Sequence, residues 1–453
     1  MGAKLKTVLT FAIMALMLSA VGVMQSWSLA LAITNMCLIS AVMALGVNIQ
    51  WGYAGLFNVG IMGFTALGGV AAVLVSVSPV AGAWQAGGLG MLGSLALTLA
   101  TIAAFVSVRK KLPKSRSRSW LLFFVLIVGI AIIRWQYAPS VLAIEKYQPA
   151  QTGFLGGLGL PIMFSWLVGG VFAAGAAWLI GKIALGLRSD YLAIATLGIS
   201  EIIIAVIKNE DWLTRGVKNV SGLSRPVPYE VDLQSSPWFQ DLVEKFAGSS
   251  LPQDALVRQS ALQQTIIESS SLFVKLCYTG LFAVVLCLLL WLAHRAQKAP
   301  WGRMMRGIRD NEDAANAMGK DVTRRHLQVF VLGSAVVGIA GAMMTTLDGQ
   351  FTPGTYQPLR YTFLVWVMVI VGGSGNNLGS VLGAFIIWFF WIEAEPLGQW
   401  FIGFITSGMA DDNALKLHLI ESAAHMRLIF MGMILLLVLR FSPHGLLPEQ
   451  IRR

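Results

Sequence analysis

Apolar runs of membrane-spanning length recur along the whole chain. They lie near residues 7–25, 29–50, 61–79, 88–108, 119–138, 161–182, 189–207, 272–293, 327–346, 361–372, 377–393 and 426–441. A helix needs ~20 apolar residues to cross ~30 Å of hydrocarbon, where backbone amides find no water and must bond within the segment. The pattern predicts an all-α polytopic integral membrane protein with about 10–12 transmembrane helices; the 361–372 run is short for a crossing, which leaves the number open. Residues of the AVILMFWYC set make up 56% of the chain and DEKR only 12%, against roughly 25% charged residues in a soluble domain. Disordered, collagen-like, disulfide-framework and ordinary soluble-enzyme architectures are excluded. Lys4 and Lys6 precede the first run, which is expected to stay as an uncleaved helix because Gln25-Ser-Trp-Ser is a poor cleavage site.

The formal charge is +11, from 33 basic and 22 acidic residues, and its placement carries the information. Cytoplasmic loops of membrane proteins are enriched in Lys and Arg. Arg109, Lys110, Lys111, Lys114, Arg116 and Arg118 cluster without an acid between the fourth and fifth runs. The 294–326 loop is also rich in arginine and lysine, whereas 208–271 is acidic and 394–425 holds Glu395, Asp411, Asp412 and Glu421 against Lys416. Alternation then places 294–326 in the cytoplasm, 208–271 outside as the large periplasmic loop, and both termini inside. Residues 1–453 form a single transmembrane domain. The basic excess reads as topology, with no nucleic-acid partner. Within the outer loop, Ser236-Pro237 followed by Trp238, Phe239, Leu242, Val243 and Phe246 predicts a capped amphipathic helix; it either lies on the membrane, offers a platform to an external partner, or packs on its own bundle.

Two glycine-rich interruptions echo each other: Gly52-Tyr-Ala-Gly-Leu-Phe-Asn-Val-Gly60 and Gly372-Gly-Ser-Gly-Asn-Asn-Leu-Gly379. Paired breaks in two halves point to an inverted-repeat transporter, because unwound backbone at membrane depth must line a cavity or be buried in protein. Asn48, Gly52, Tyr53, Gly55, Asn58, Gly372, Gly373 and Gly375 are therefore candidates for the translocation pathway. The competing reading is that the glycines merely let helices approach closely. Glu201 joins the candidates, since a carboxylate about twelve residues into a helix starting near Asp190 cannot snorkel and costs about 2.5–3.5 kcal/mol at a helix centre. It is expected to face the bundle interior.

Catalytic patterns are absent from the sequence. The five histidines form no HExxH, no G-x-S-x-G elbow occurs, and Gly181-Lys182 and Gly319-Lys320 lack the rest of a P-loop. No catalytic residue, resident cofactor or metal ligand is assigned, and any ATP would have to bind another subunit. The most distinctive segment is Arg306-Gly-Ile-Arg-Asp-Asn-Glu-Asp-Ala-Ala-Asn-Ala-Met-Gly-Lys320. Asp310 or Asn311 can cap a helix start, Glu312 and Asp313 suit its positive end, and Gly319 suits its termination. A helix of about eight residues is marginal alone, so this one, with Ala314, Ala315 and Met318 between arginines, needs something to dock against. Folding back on its own bundle is the alternative.

These segments resemble the permease subunits of branched-chain amino acid ABC importers, the LivM-like family. The resemblance rests on Gly52-Tyr-Ala-Gly55, on Asp190 to Gly198 with Glu201, and on Gly302 to Asp310 continuing through Glu312, Ala314, Ala315, Met318 and Gly319. It extends to Val371-Gly-Gly-Ser-Gly-Asn-Asn-Leu-Gly379 and to the last helix with its Pro443-His-Gly-Leu446 end. Asn58 stands where the family pattern has Ser, and the stretches 83–118 and 226–270 are longer than in a compact member. The resemblance implies a non-enzymatic permease in the bacterial inner membrane, surrounded by lipid. It also implies a second related permease forming a heterodimer, two cytoplasmic ABC ATPases that bind ATP and Mg, a periplasmic solute-binding protein, and a small amino acid as substrate. Arg309, Asp310, Glu312, Ala314, Ala315, Met318 and Gly319 would form the ATPase-coupling segment. A urea or short-chain amide permease shares these motifs. An ion-coupled secondary transporter using Glu201 is the reading from a different class.

Overall fold

The computed structural model describes residues 3–247, 255–409 and 413–449; Asp411 and Asp412 of the acidic 394–425 stretch lie outside them. Helices run in the order α1 (Ala3–Met24), α2 (Trp27–Ala54), α3 (Ile61–Ser76), α4 (Ala81–Ala83), α5 (Leu89–Lys111), α6 (Arg116–Lys146), α7 (Met163–Ala184), α8 (Ser189–Asn209) and α9 (Asp211–Thr214). They continue as α10 (Glu230–Ser235), α11 (Pro237–Ala247), α12 (Ala255–Lys298), α13 (Pro300–Asp310), α14 (Glu312–Ala317), α15 (Val322–Asp348), α16 (Pro358–Gly372), α17 (Asn377–Ile405), α18 (Ala414–Glu421) and α19 (Met426–Phe441). Two-residue strands β1 (Val220–Ser221) and β2 (Gln350–Phe351) pair antiparallel. The chain is an all-α polytopic membrane protein.

Among the described residues nine helices are long and apolar enough to cross a membrane, and the α18–α19 pair, bent by 67°, makes a tenth. The two remaining apolar runs became α3 and α16, of 16 and 15 residues. At 1.5 Å per residue each covers only about 23 Å. The glycine breaks supply the missing length, because α3 follows the non-helical segment 55–60 and α16 leads into 373–376.

The core is built around α2, whose residues Cys37 to Gln50 are all buried. Helix α15 packs on α2, α3 and α7, and α17 packs on α2 and α16. Small residues allow this closeness: a Cβ on Gly68 would sit 2.0 Å from the Gly338 carbonyl oxygen, and one on Gly341 2.0 Å from that of Thr65. Helices α5 and α6 pack mainly on each other at the periphery, tied in by Trp212 Nε1 donating to Tyr137 Oη at 2.9 Å. Most of their side chains are exposed, which in a bilayer means facing lipid or another subunit.

The 208–271 stretch is helical at its end. Helix α12 begins at Ala255 and not near 272, because the polar Ala, Gln and Leu-rich stretch before the apolar run has helix propensity of its own. Helix α11 matches the predicted amphipathic helix. It packs on its own bundle through buried Phe239 and Val243, with the Phe239 ring 5.8 Å from Phe273 of α12, and leaves Trp238 and Phe246 exposed.

Candidate functional site at the glycine breaks

The two glycine breaks meet at one end of the bundle. Helix α2 continues through Gly52 and ends at Gly55, whose φ of +70° places it in the left-handed region. A side chain at Gly52 would sit 2.6 Å from the Gly375 nitrogen, so the first break can touch the second only as glycine.

Polar groups then lace the breaks together. The Gly375 N–H donates to Asn48 Oδ1 at 2.8 Å, Asn48 Nδ2 donates to Asn377 Oδ1 at 3.1 Å, and Tyr53 Oη also donates to Asn377 Oδ1. Asn58 accepts from the Gly60 N–H at 2.9 Å and donates to Gln50 Oε1 at 2.9 Å; Gln50 in turn reaches the Phe330 carbonyl and Ser334 Oγ. Trp366 Nε1 donates to the Asn58 carbonyl at 2.9 Å. Asn48, Gln50, Tyr53 and Asn58 are all at most 2% exposed. Buried amides are costly unless paired; Asn48, Gln50 and Asn58 are paired through both side-chain atoms, whereas Asn377 accepts twice at Oδ1 and leaves its Nδ2 buried without a partner. The amide of Asn58 spans both Gln50 and the turn at Gly60, a reach that a serine lacks. In this conformation these groups pack against one another at this end of the bundle.

The coupling-segment candidates lie directly below. Helix α13 buries Met305 and Ile308 and ends at Asp310. Asn311 caps α14, its side chain accepting from the Ala314 N–H at 2.9 Å, and Gly319 with φ +74° ends the turn beyond it. Helix α14 has six residues, shorter than expected, and none is buried; Met318 is 79% exposed. Arg309 points inward, donating to the Gly52 carbonyl and pairing with Glu449 Oε2 at 2.9 Å. Asp310, by contrast, is an exposed partner of Arg309 at 3.2 Å. Gln297 Nε2, at the end of α12, donates to the Gly375 carbonyl at 2.9 Å.

The C-terminal tail completes the arrangement. Leu446 and Leu447 donate backbone N–H groups to the Val371 and Gly372 carbonyls, both at 2.9 Å, and a Cβ on Gly373 would lie 2.4 Å from the Leu447 carbonyl oxygen. The ends of α2, α12, α16 and the chain thus converge with α13, which is the set of segments that the charge bias assigns to the cytoplasm.

Glu201 does not join them and does not face the bundle interior. It is exposed on α8, without a hydrogen bond or ion pair among the described residues, in an outer groove of about 830 Å³ that also holds Lys208, Gln357 and Arg360. Helix α8 buries its Leu192, Thr196, Ser200 and Ile204 face, and position 201, about 100° round the helix from Ser200, falls beside that face with its side chain exposed. Gln50, Gln297, Asn377 and Glu449 are the residues the sequence reading passed over. For Gln50 a signal existed, a second amide beside Asn48 inside an apolar run; for Glu449 there was none. No group of three or more His, Cys, Asp or Glu that could hold a metal ion is present among the described residues.

A family model described as the branched-chain amino acid transport system / permease component matches residues 140–439. The chain is 27% identical over 224 residues to the high-affinity branched-chain amino acid transport system permease protein LivM of Salmonella typhimurium, covering 48% of this chain and 47% of that protein. Against LivM of Escherichia coli K12 the identity is 26%, over 49% of this chain and 48% of the relative. The fructose import permease protein FrcC of Rhizobium meliloti is 26% identical over 27% of this chain and 36% of its own length. The chain spans about half the length of the LivM relatives it matches. No solved structure matches it significantly.

Proposed function

The chain belongs to the family of branched-chain amino acid transport permease components, and from that premise we propose that it forms the translocation pathway of an ATP-driven importer of branched-chain, aliphatic amino acids in a bacterial inner membrane. Its partners in this reading are a second related permease, two cytoplasmic ATPases carrying ATP and Mg, and a periplasmic solute-binding protein. The observation that carries the mechanical part is the linkage Arg309–Gly52–Gly375. Helix α14 buries none of its residues, with Ala315 alone partly covered by the bundle, and is too short to be stable alone, so it suits a groove on an ATPase, with Met318 adapting to the groove and the charges around it setting orientation.

Movement of a docked α14 is transmitted by α13, because Arg309 at the end of α13 holds the Gly52 carbonyl and Gln297 holds Gly375. The amide network above those glycines is then the element with two arrangements, and ATPase and substrate each bias it. No bond chemistry is required of this chain.

The test is copurification followed by reconstitution. Two P-loop proteins and a second permease should accompany the tagged chain, and ATP-dependent leucine uptake should require all of them together with the binding protein. Uptake by this chain alone, driven by an ion gradient, would overturn the proposal.

A further inference from the structure

Six cations crowd the turn between α5 and α6: Arg109, Lys110, Lys111, Lys114, Arg116 and Arg118. No acid offsets them locally, since the first acidic residue of the chain is Glu145. All but Arg118 are exposed and make no hydrogen bond or ion pair among the described residues. Arg118 is half-buried and braces the turn, its Nη1 donating to the Leu112 carbonyl at 3.1 Å. The family match begins at residue 140, so the turn lies outside the part of the chain that identifies the family.

Helix electrostatics accounts for only half of this charge. Arg109, Lys110 and Lys111 occupy the last turn of α5, where cations suit the negative end of a helix. Arg116 and Arg118 stand in the first turn of α6, with Lys114 just ahead of it, where the positive end of a helix disfavours them. Like charges gathered there repel one another unless an anion compensates them.

The depth of the turn decides which anion. Both helices are long and apolar enough to cross a membrane, and few of their side chains are buried. Exposed Val106 stands one helix turn before Arg109, and exposed Leu121 one turn after Arg118. Trp120, 64% exposed, lies where aromatic side chains mark a membrane interface. Only residues 112–115 are non-helical between the two spans, so the cations are held at headgroup level and not on a loop reaching into solvent. The hairpin is tied to the rest of the chain through Tyr137 and Trp212, and Tyr137 is about 28 Å along α6 from Arg118. The basic end therefore extends away from that attachment.

We propose that this turn binds the headgroups of anionic phospholipids, and that these lipids hold the far end of the α5–α6 hairpin in place. Arginine pairs with phosphate oxygens through two parallel N–H groups and lysine acts as a point charge. A zwitterionic headgroup offsets its own phosphate, whereas one of net negative charge leaves it for the protein. The proposal stands apart from the import reading and does not depend on what the chain transports.

In the experiment the full chain in detergent is titrated with phosphatidylglycerol and, separately, with phosphatidylcholine of the same acyl chains, and bound lipid is counted by native mass spectrometry. Phosphatidylglycerol should bind about tenfold tighter, an effect that fewer than half of the cations supply at the usual strength of Lys and Arg near an anionic surface. Combining the exposed-site exchanges Lys110→Gln, Lys111→Gln, Lys114→Gln and Arg116→Gln should abolish that preference without unfolding the chain. The matched set Lys298→Gln, Arg303→Gln, Lys320→Gln and Arg324→Gln, also at exposed positions, should keep it. A preference absent from the native chain, retained by the first variant, or lost equally in both would overturn the site. Its loss on adding inorganic phosphate at matched ionic strength would also overturn it, by marking a small-anion site. Hydrogen exchange on the native chain gives a second measurement that needs no variant. Amides of residues 112–120 should exchange more slowly in phosphatidylglycerol nanodiscs than in phosphatidylcholine ones, and equal exchange would overturn the anchoring role.

Discussion

Arg309 and Glu449 are 140 positions apart and form an ion pair of 2.9 Å at the foot of the bundle. Their side chains are 22% and 15% exposed, so solvent screens the pair only partly. The same guanidinium holds the Gly52 carbonyl, which makes Glu449 the orienter of the residue that links α13 to the first glycine break. We predict that Glu449→Gln lowers stability by about 1 kcal/mol, since a neutral amide keeps a hydrogen bond and loses its charge assistance. Leucine moved per ATP hydrolysed should fall while ATPase association persists. A native melting temperature together with a native transport stoichiometry would refute this role.

The network around Asn48 and Asn377 gives a second prediction. Asn377→Leu takes the acceptor from both Asn48 Nδ2 and Tyr53 Oη, and Asn48→Leu takes it from the Gly375 N–H; each buried donor left without a partner costs about 1–3 kcal/mol. The double substitution should cost less than the sum of the two, since Asn48 Nδ2 is then no longer present to be orphaned. A thermal double-mutant cycle in detergent measures the coupling; strict additivity would show that the two amides do not interact.

Glycine substitutions separate close approach from mere flexibility. Gly52→Ala places a Cβ 2.3 Å from Asn48 Oδ1 and 2.6 Å from the Gly375 backbone nitrogen, so it should destabilise the chain by about 1–3 kcal/mol through overpacking. Gly198→Ala meets nothing within 4 Å in α8 and should be neutral or stabilising by up to about 1 kcal/mol. The comparison is read from melting temperatures, and equal effects at both sites would contradict the packing described.

For the coupling segment, Met318→Glu changes an exposed side chain and should leave the melting temperature within about 0.5 kcal/mol of native. Glu312→Ala and Gly319→Ala act on the first turn and the left-handed terminus of the same helix. All three should reduce ATPase copurification or ATP-driven uptake. Normal uptake in all three would mean that α14 docks nothing.

Glu201→Gln discriminates between transport classes. The carboxylate is exposed and unpartnered among the described residues, so the isolated chain should keep its stability, and ATP-driven uptake should not acquire a dependence on the proton gradient. Proton-driven uptake that this substitution abolishes would favour an ion-coupled transporter instead.

Much of the fold was legible because it rests on local chemistry. Each predicted apolar run became a helix, since in hydrocarbon a backbone without internal bonds is prohibitively costly. The capped helix at Asn311 and its end at Gly319 followed from side-chain capping and from the φ that glycine tolerates. What failed was also local in origin: the polar approach to α12 was read as loop because its helix propensity does not show in hydropathy.

The sequence alone determined that the chain spans a membrane, where its apolar helices run, and where the backbone must unwind. Tertiary structure alone decided which groups meet. Helix α2 is apolar almost all round, so no periodicity marks the face that receives Gly375, and nothing local couples Asn48 to Asn377 or Arg309 to Glu449. Glu201 shows the same limit from the other side. A carboxylate in an apolar helix demands a polar setting, but its direction is set by the packing of α8, which turned it outward to a groove. Local rules act through neighbours a few residues apart, whereas the amide network is made by residues from distant helices.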